Sequence, residues 1–225
     1  MKNVFISREL ANDSVFRRKL ADRGFEVHGE PLVSFSPVPF GPLPPADWLF
    51  FYSQTGVRYF FEQIPPARAS WMKLAALGPG TATALAEATA RPPDFTGDGD
   101  PVRTAAAFLQ VARGQRVLFL RAEESRQSVQ RLLASHIAAL DLVVYKNISR
   151  TDLDLPDFDV LVFTSPMSAR AFFSKKRWHV GQVVVAIGQV TASELENMGI
   201  GPVVQAAAPS EESMADAVIE ATQGV

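Results

Sequence analysis

One pattern restricts the fold of this chain more than any other: apolar runs of strand length alternate with single helix-period segments, and the unit recurs. Residues 50–61 read FFYSQTGVRYFF and residues 162–173 read VFTSPMSARAFF. Each apolar run ends in a hydroxyl-bearing step, Tyr52-Ser53 or Thr164-Ser165, and a Phe-Phe pair follows at the same offset, Phe60-Phe61 or Phe172-Phe173. Further on, ALGPGTATALAEA (76–88) is echoed by AIGQVTASELENM (186–198), with a Gly at the end of a strand and a Thr in the first turn of a helix. Parallel strands buried on both faces read as near-continuous apolar runs and need a helical crossover between them. The class is therefore α/β, and the Phe-Phe pairs read as helix core facing a sheet.

Along the chain, NVFIS (3–7) reads as a strand and ELANDSVFRRKLADRG (9–24) as an amphipathic helix closing at Gly24. FEVHGEPLVSF (25–35) alternates like one strand, and PVPFGPLPP (37–45) reads as a stiff connector where a domain crossing is expected. Beyond it the strands WLFFYS, WMKLAALG, RVLFLRA and LDLVVYKN alternate with the helices TGVRYFFEQ, TATALAEA, VRTAAAFLQVAR and SRQSVQRLLASH; RPPDFTGDGDP (91–101) reads as turns. A second connector, ISRTDLDLPDF (148–158), precedes the strands DVLVFTS, QVVVAIG and PVVQAA, each followed by a helix.

Charge and residue usage exclude several kinds of chemistry. With 22 Lys+Arg against 24 Asp+Glu the net charge is −2, so no global basic field draws in nucleic acid or an anionic membrane, and an anionic ligand must be held locally. The absence of cysteine removes disulfides, thiolate nucleophiles and zinc-thiolate sites. The three histidines, His28, His136 and His179, lie far apart, so no His-based metal site is expected. Strand-like residues follow Met1-Lys2 at once, leaving no stretch for a signal peptide or membrane span, and a cytoplasmic location is the default.

In parallel α/β sheets, ligands bind beyond the carboxyl ends of the strands, where helix N-termini point. Those ends carry Ser7-Arg8, Ser53-Gln54-Thr55, Gly78-Pro79-Gly80-Thr81, Arg121, Tyr145, Thr164-Ser165 and Gly188-Gln189-Val190-Thr191. No strand ends in the Asp of a phosphoacceptor receiver. GPGTAT lacks the Lys of a P-loop and the third Gly of a dinucleotide fingerprint, and no G-x-S-x-G elbow is present. What remains is a rim of hydroxyls and backbone amides suited to anions. Ser53, Ser165, Thr81 and Thr191 also stand where helix caps are wanted, and Pro166 fits the first helical position. Two such rims facing one another would grip a multiply anionic molecule.

In FISR, LADRGFEVHGEPLV, DWLFFYSQTGV, ALGPGTATAL, RVLFLRA, LVVYKN, VFTSPMSARAFF and AIGQVTASELENMG, in that order, the chain resembles the uroporphyrinogen-III synthase family over nearly its whole length. The resemblance implies two similar flavodoxin-like lobes, 1–34 with 149–225 and 36–146, joined by connectors near 35–46 and 146–157. It implies a cofactor-free, metal-free lyase, a monomer with neither nucleic acid nor membrane as partner, whose substrate is a linear tetrapyrrole. The implied reaction cyclises hydroxymethylbilane to uroporphyrinogen III with loss of water and inversion of the terminal ring, in haem biosynthesis. Tyr145 matches the family's proposed proton donor to the leaving group. Arg8, Ser53, Gly80, Thr81, Arg121, Thr164, Ser165, Gly188 and Thr191 match substrate-binding positions, and Arg126 falls in a ligand-facing loop. Two departures stand out: FYSQTG replaces the more usual Thr-Ser-x-Asn step, and QVVVAIG carries no Lys where some members do. A non-catalytic two-lobed sensor or carrier for a small polyanion would share the same rims, and the response of turnover to loss of the Tyr145 hydroxyl separates the two.

Overall fold

The structure, a computed structural model, describes residues 2–150, 152 and 154–223, so Thr151 and Leu153 of the second connector lie outside the described residues. In chain order the elements are β1 (Asn3–Ile6), α1 (Val15–Ala21), β2 (Glu26–Gly29), β3 (Val33–Pro37), β4 (Trp48–Phe51), α2 (Gln54–Phe61), β5 (Lys73–Ala76), α3 (Pro79–Thr89), β6 (Phe95–Thr96) and α4 (Pro101–Ala112). They continue with β7 (Arg116–Ala122), α5 (Ser128–Leu133), β8 (Ala138–Ser149), β9 (Val160–Phe163), α6 (Pro166–Phe173), β10 (Val183–Ala186), α7 (Gln189–Asn197), β11 (Val203–Gln205) and α8 (Glu211–Thr222). The chain divides into two compact units, Met1–Ser34 with Ile148–Val225 and Phe35–Asn147.

The first unit is built on a five-stranded sheet, β11-β10-β9-β1-β2, parallel throughout. Period-2 alternation sends its side chains to two faces. Val4, Ile6, Val160, Val162 and Val185 pack under α1 and α8, while Phe5, Leu161, Phe163, Val184 and Ala186 pack under α6 and α7. The second unit is a six-stranded sheet, β3-β8-β7-β4-β5-β6. Leu49, Phe51, Leu118 and Leu120 face α2 and α3, and Trp48, Phe50, Val117 and Phe119 face α4 and α5. Its strands β4 to β8 run parallel. The edge strand β3 runs the other way, since Val38 N–H bonds the Val144 carbonyl while Arg150 N–H bonds that of Leu32.

The Phe-Phe pairs close the same aromatic cluster in each unit. Phe51 meets Phe60 and Phe61 at ring distances of 5.4 and 6.0 Å, and Phe163 meets Phe172 and Phe173 at 5.5 and 5.4 Å. The last strand residue is thus clasped by its own following helix, an arrangement worth about 1 kcal/mol per ring pair beyond the area it buries.

Four local expectations give way. The first helix begins at Val15 rather than near Glu9, because the Ser14 hydroxyl accepts the Arg17 amide at 3.2 Å and caps it there. The stretch 25–35 is two strands in different sheets, broken where the Arg150 guanidinium bonds Glu30 Oε1 (2.6 Å) and the Pro31 carbonyl (3.2 Å). The turn-rich 91–101 contains the short strand β6, and the helix expected over 125–136 shrinks to α5. The chain divides between Ser34 and Phe35, and the Pro-rich run 37–45 lies within the second unit.

Candidate functional site: strand-end rims

At the carboxyl ends of both sheets the same pair of devices recurs. One helix is capped by a Ser side chain and the next by a bare Gly. In the first unit Ser165 precedes α6 and its hydroxyl accepts the Ser168 amide at 3.0 Å. Gly188 precedes α7 with φ −178°, extended backbone that gives no side-chain cap. In the second unit Ser53 accepts the Gly56 amide at 3.1 Å to cap α2, and Gly78 precedes α3 with φ −157° and no side-chain cap. The Thr191 amide bonds the Gly188 carbonyl at 3.1 Å and Pro79 has no N–H, but the amides of Gly80 and Thr81 in α3 and of Gln189 and Val190 in α7 have no acceptor among the described residues, and the positive end of each helix favours an anion there.

Around these ends the first unit gathers Ser7, Arg8, Thr164, Ser165, Gly188 and Thr191, because β1, β9 and β10 are parallel neighbours. Ser7 and Thr164 engage each other: Ser7 Oγ accepts the Thr164 amide at 2.9 Å, and the Thr164 hydroxyl donates to the Ser7 carbonyl at 3.3 Å. Thr191 is 3 % exposed, a first-turn core residue more than a surface donor. Arg8 is half-exposed, with Glu211 at 3.8 Å, a separation at which a solvated pair binds weakly.

In the second unit Ser53, Gly78, Gly80 and Thr81 line one groove of about 450 Å³ between the ends of β4 and β5. Tyr52, Gln54, Thr55, Leu77, Pro79 and Gly99 complete its wall. Thr81 is buried. At Gly80 an added Cβ would stand 2.7 Å from Gln54 Nε2, the movable end of a side chain. Tyr145, on β8, is nearly buried; its hydroxyl lies 3.1 Å from Ser53 Oγ, its ring stacks on Tyr59 at 5.9 Å, and the edge of Phe35 meets it at 5.8 Å. It reaches the groove through Ser53, a resident of that wall.

Arg121 has other partners. Its Nε bonds both oxygens of Asp141 at 2.7 and 2.9 Å, and Nη1 bonds the carbonyls of Ala122 and Glu123 at 2.8 Å each. The guanidinium ties β7 to β8, and the donors a ligand would need are engaged. Arg126 is exposed beyond this tie. The residue identities along RVLFLRA gave no sign of the carboxylate, because Asp141 becomes a neighbour only through the β7–β8 register that sets Arg121 against Val143. Tyr52 was not among the expected residues, and Gln54 was read only as part of a strand end, although both stand in the FYSQTG step that departs from the family pattern.

The helix-covered, mainly parallel sheets with donor rims at their carboxyl ends define an α/β protein assembled from two such units. Its sequence narrows that class to one family: the profile described as uroporphyrinogen-III synthase HemD matches residues 14–216, and the chain belongs to that family. The fold agrees. Uroporphyrinogen-III synthetase from Helicobacter pylori superposes with a TM-score of 0.74 at 22% identity, covering 98% of this chain and 100% of that one. A mutant uroporphyrinogen III synthase from the extremely thermophilic bacterium Thermus thermophilus gives 0.62 at 20% identity, with 100% of each chain covered. No curated protein matches the sequence. Among the described residues no helix is long and apolar enough to cross a membrane, and no group of three or more His, Cys, Asp or Glu could hold a metal ion.

Proposed function

We propose that the chain performs its family's reaction, the cyclisation of hydroxymethylbilane to uroporphyrinogen III, and that the strand-end rims receive the substrate's carboxylates. The observation that carries the reading is the duplicated pairing of a Ser-capped with a Gly-capped helix at the carboxyl ends of both sheets. Each ring of the substrate bears an acetate and a propionate, so a surface offering amides and hydroxyls suits it better than one offering a metal or a nucleophile.

The chemistry asks little else of the protein. The terminal hydroxyl takes a proton and leaves as water, with the electron pair of the adjoining pyrrole nitrogen stabilising the cation left behind. The far end of the chain then attacks through a spiro intermediate, and rearrangement closes the macrocycle with the last ring inverted. Without guidance the free α-carbon of that ring closes directly instead and gives the symmetric isomer, so holding the conformation is the main catalytic task. In this scheme Tyr145 donates the proton. Arg8, Ser53, Gly80, Thr81, Thr164, Ser165, Gly188 and Thr191 hold the substrate, and Arg121 holds the end of β7 in place. The same reading makes the protein a cytoplasmic monomer working without cofactor or nucleic acid; its net charge of −2 supports the last point.

The test is to give the purified protein freshly generated hydroxymethylbilane and resolve the uroporphyrinogen isomers. Type III formed faster than closure in buffer is expected; the symmetric isomer alone, at the buffer rate, refutes the reading.

A further inference from the structure

Tyr52 is where the two units part company. The strand-end step is Phe51-Tyr52-Ser53 in one and Phe163-Thr164-Ser165 in the other. The serines cap their helices alike, so helix capping makes no demand for a phenol at this position. In the first unit the Thr164 hydroxyl serves the strand ends, donating to the Ser7 carbonyl. Tyr52 turns to the other face, where its ring packs on Phe50 and Phe119 at 5.3 and 5.9 Å and its oxygen accepts the Gln130 amide at 3.0 Å.

That amide fixes the phenol oxygen as an acceptor and leaves its O–H, which has no acceptor among the described residues. Tyr52 also walls the 450 Å³ groove that Ser53, Gly78, Gly80 and Thr81 line. Burial above all pushes its phenol up to about 12, against the opposing pull of the Gln130 amide, so the group stays a neutral donor and adds no negative charge to repel an anion. We propose that Tyr52 donates its hydroxyl hydrogen to a carboxylate of the substrate in this groove, a specificity-setting contact that the other half of the repeat lacks. The proposal rests on the function proposed above.

Tyr52→Phe keeps the ring that packs on Phe50 and Phe119 and removes only the hydroxyl. Three quantities are read well below its melting temperature: kcat and KM for freshly generated hydroxymethylbilane, Kd for uroporphyrin III (the oxidised, octacarboxylate form of the product) by fluorescence titration, and hydrogen exchange at the Gln130 amide. The expected result is a rise of about tenfold in both KM and Kd, the scale of one hydrogen bond to a charged group, with kcat within about twofold. Faster exchange at Gln130 with unchanged KM and Kd would reduce Tyr52 to a structural acceptor for α5 and overturn the proposal, as would a fall in kcat alone. A wild-type protein yielding only the symmetric isomer removes the function reading itself, whereas type III product with an unaltered KM in the variant removes Tyr52 alone.

Discussion

Tyr145→Phe separates a proton donor from a packing residue, because the two roles predict effects of different size. The phenyl ring survives the change, so the stack on Tyr59 and the contact with Phe35 remain. The loss is one hydrogen bond, the 3.1 Å contact with Ser53 Oγ. Ser53 is not orphaned, since it still accepts the Gly56 amide. The structural cost is therefore about 1 kcal/mol, a drop of roughly 2–4 °C in melting temperature for a chain of this length. A positioned general acid contributes on the order of 10²–10⁴ in rate, or about 3–5 kcal/mol of barrier. If Tyr145 delivers the proton, kcat falls at least about a hundredfold while Kd for uroporphyrin III stays within about twofold. Stopped-flow consumption of hydroxymethylbilane, with isomer analysis of the product, measures the first quantity and fluorescence titration the second. A kcat within about threefold of wild type, accompanied by the small thermal shift, would place the hydroxyl in the core and return the proton to solvent.

Two further perturbations test neighbouring claims. Arg121→Gln unties β7 from β8 and leaves Asp141 without its guanidinium. Because Asp141 is partly solvated, the loss in urea-monitored stability is on the order of 1–2 kcal/mol with Kd for uroporphyrin III unchanged, whereas a tenfold weaker Kd in stable protein would make Arg121 a ligand contact after all. Glu211 carries a pH dependence. Burial works against its charge, but hydrogen bonds from the Ser14 hydroxyl (2.7 Å) and the Phe16 amide (3.3 Å), with Arg8 nearby, outweigh it and hold the carboxyl below its usual range. A lowered folded pKa means stabilisation that is present above the ordinary glutamate value of about 4.3 and is lost as the pH falls through the folded value. Urea midpoints taken from pH 6 down to about pH 3 should therefore fall more steeply for wild type than for Glu211→Gln, and parallel profiles would refute this stabilising contribution of the Glu211 carboxylate.

What could be read from sequence followed the strength of each local signal. The buried strands announced themselves because all four residues of β4 and β9 are buried, which suppresses alternation and leaves solid apolar runs. Ser53 and Ser165 were legible as caps, since a Ser between an apolar run and a helix-period segment has few other uses. Signals that depend on a distant partner were not legible. The start of α1 is set by Ser14, whose hydroxyl donates to Glu211 nearly two hundred residues away in sequence, so the preceding ELAND kept a helical rhythm that nothing local contradicted. The break at Glu30–Pro31 is stabilised by Arg150, 120 residues beyond Glu30 in sequence. Arg121 looked like a free cation for the same reason, its carboxylate lying on the next strand. Burial also reassigns residues that spacing treats alike: Thr81 and Thr191 hold matching positions but are 7% and 3% exposed, so their hydroxyls are first-turn core groups before they are rim donors.

The repeat also shows what it leaves free to differ. Where packing governs, the halves agree: Phe51 with Phe163, Phe60 with Phe172, Ser53 with Ser165, Gly78 with Gly188, Thr81 with Thr191. Where strand and helix packing do not dictate the residue, they diverge. Tyr52 answers Thr164, Pro79 answers Gln189, and Gly80, overhung by Gln54, answers Val190, an apolar residue 53% exposed. Identical rims would accept a chain of four similarly charged pyrroles equally well in either direction. A reaction that inverts only the terminal ring needs its substrate threaded one way, and that discrimination has to come from a difference between the contacts each end meets. On the proposed function, the phenol of Tyr52 offers a donor in one unit where the Thr164 hydroxyl of the other is turned to the Ser7 carbonyl. On that reading, duplication would account for holding carboxylates and the departures from it for telling one end of the substrate from the other.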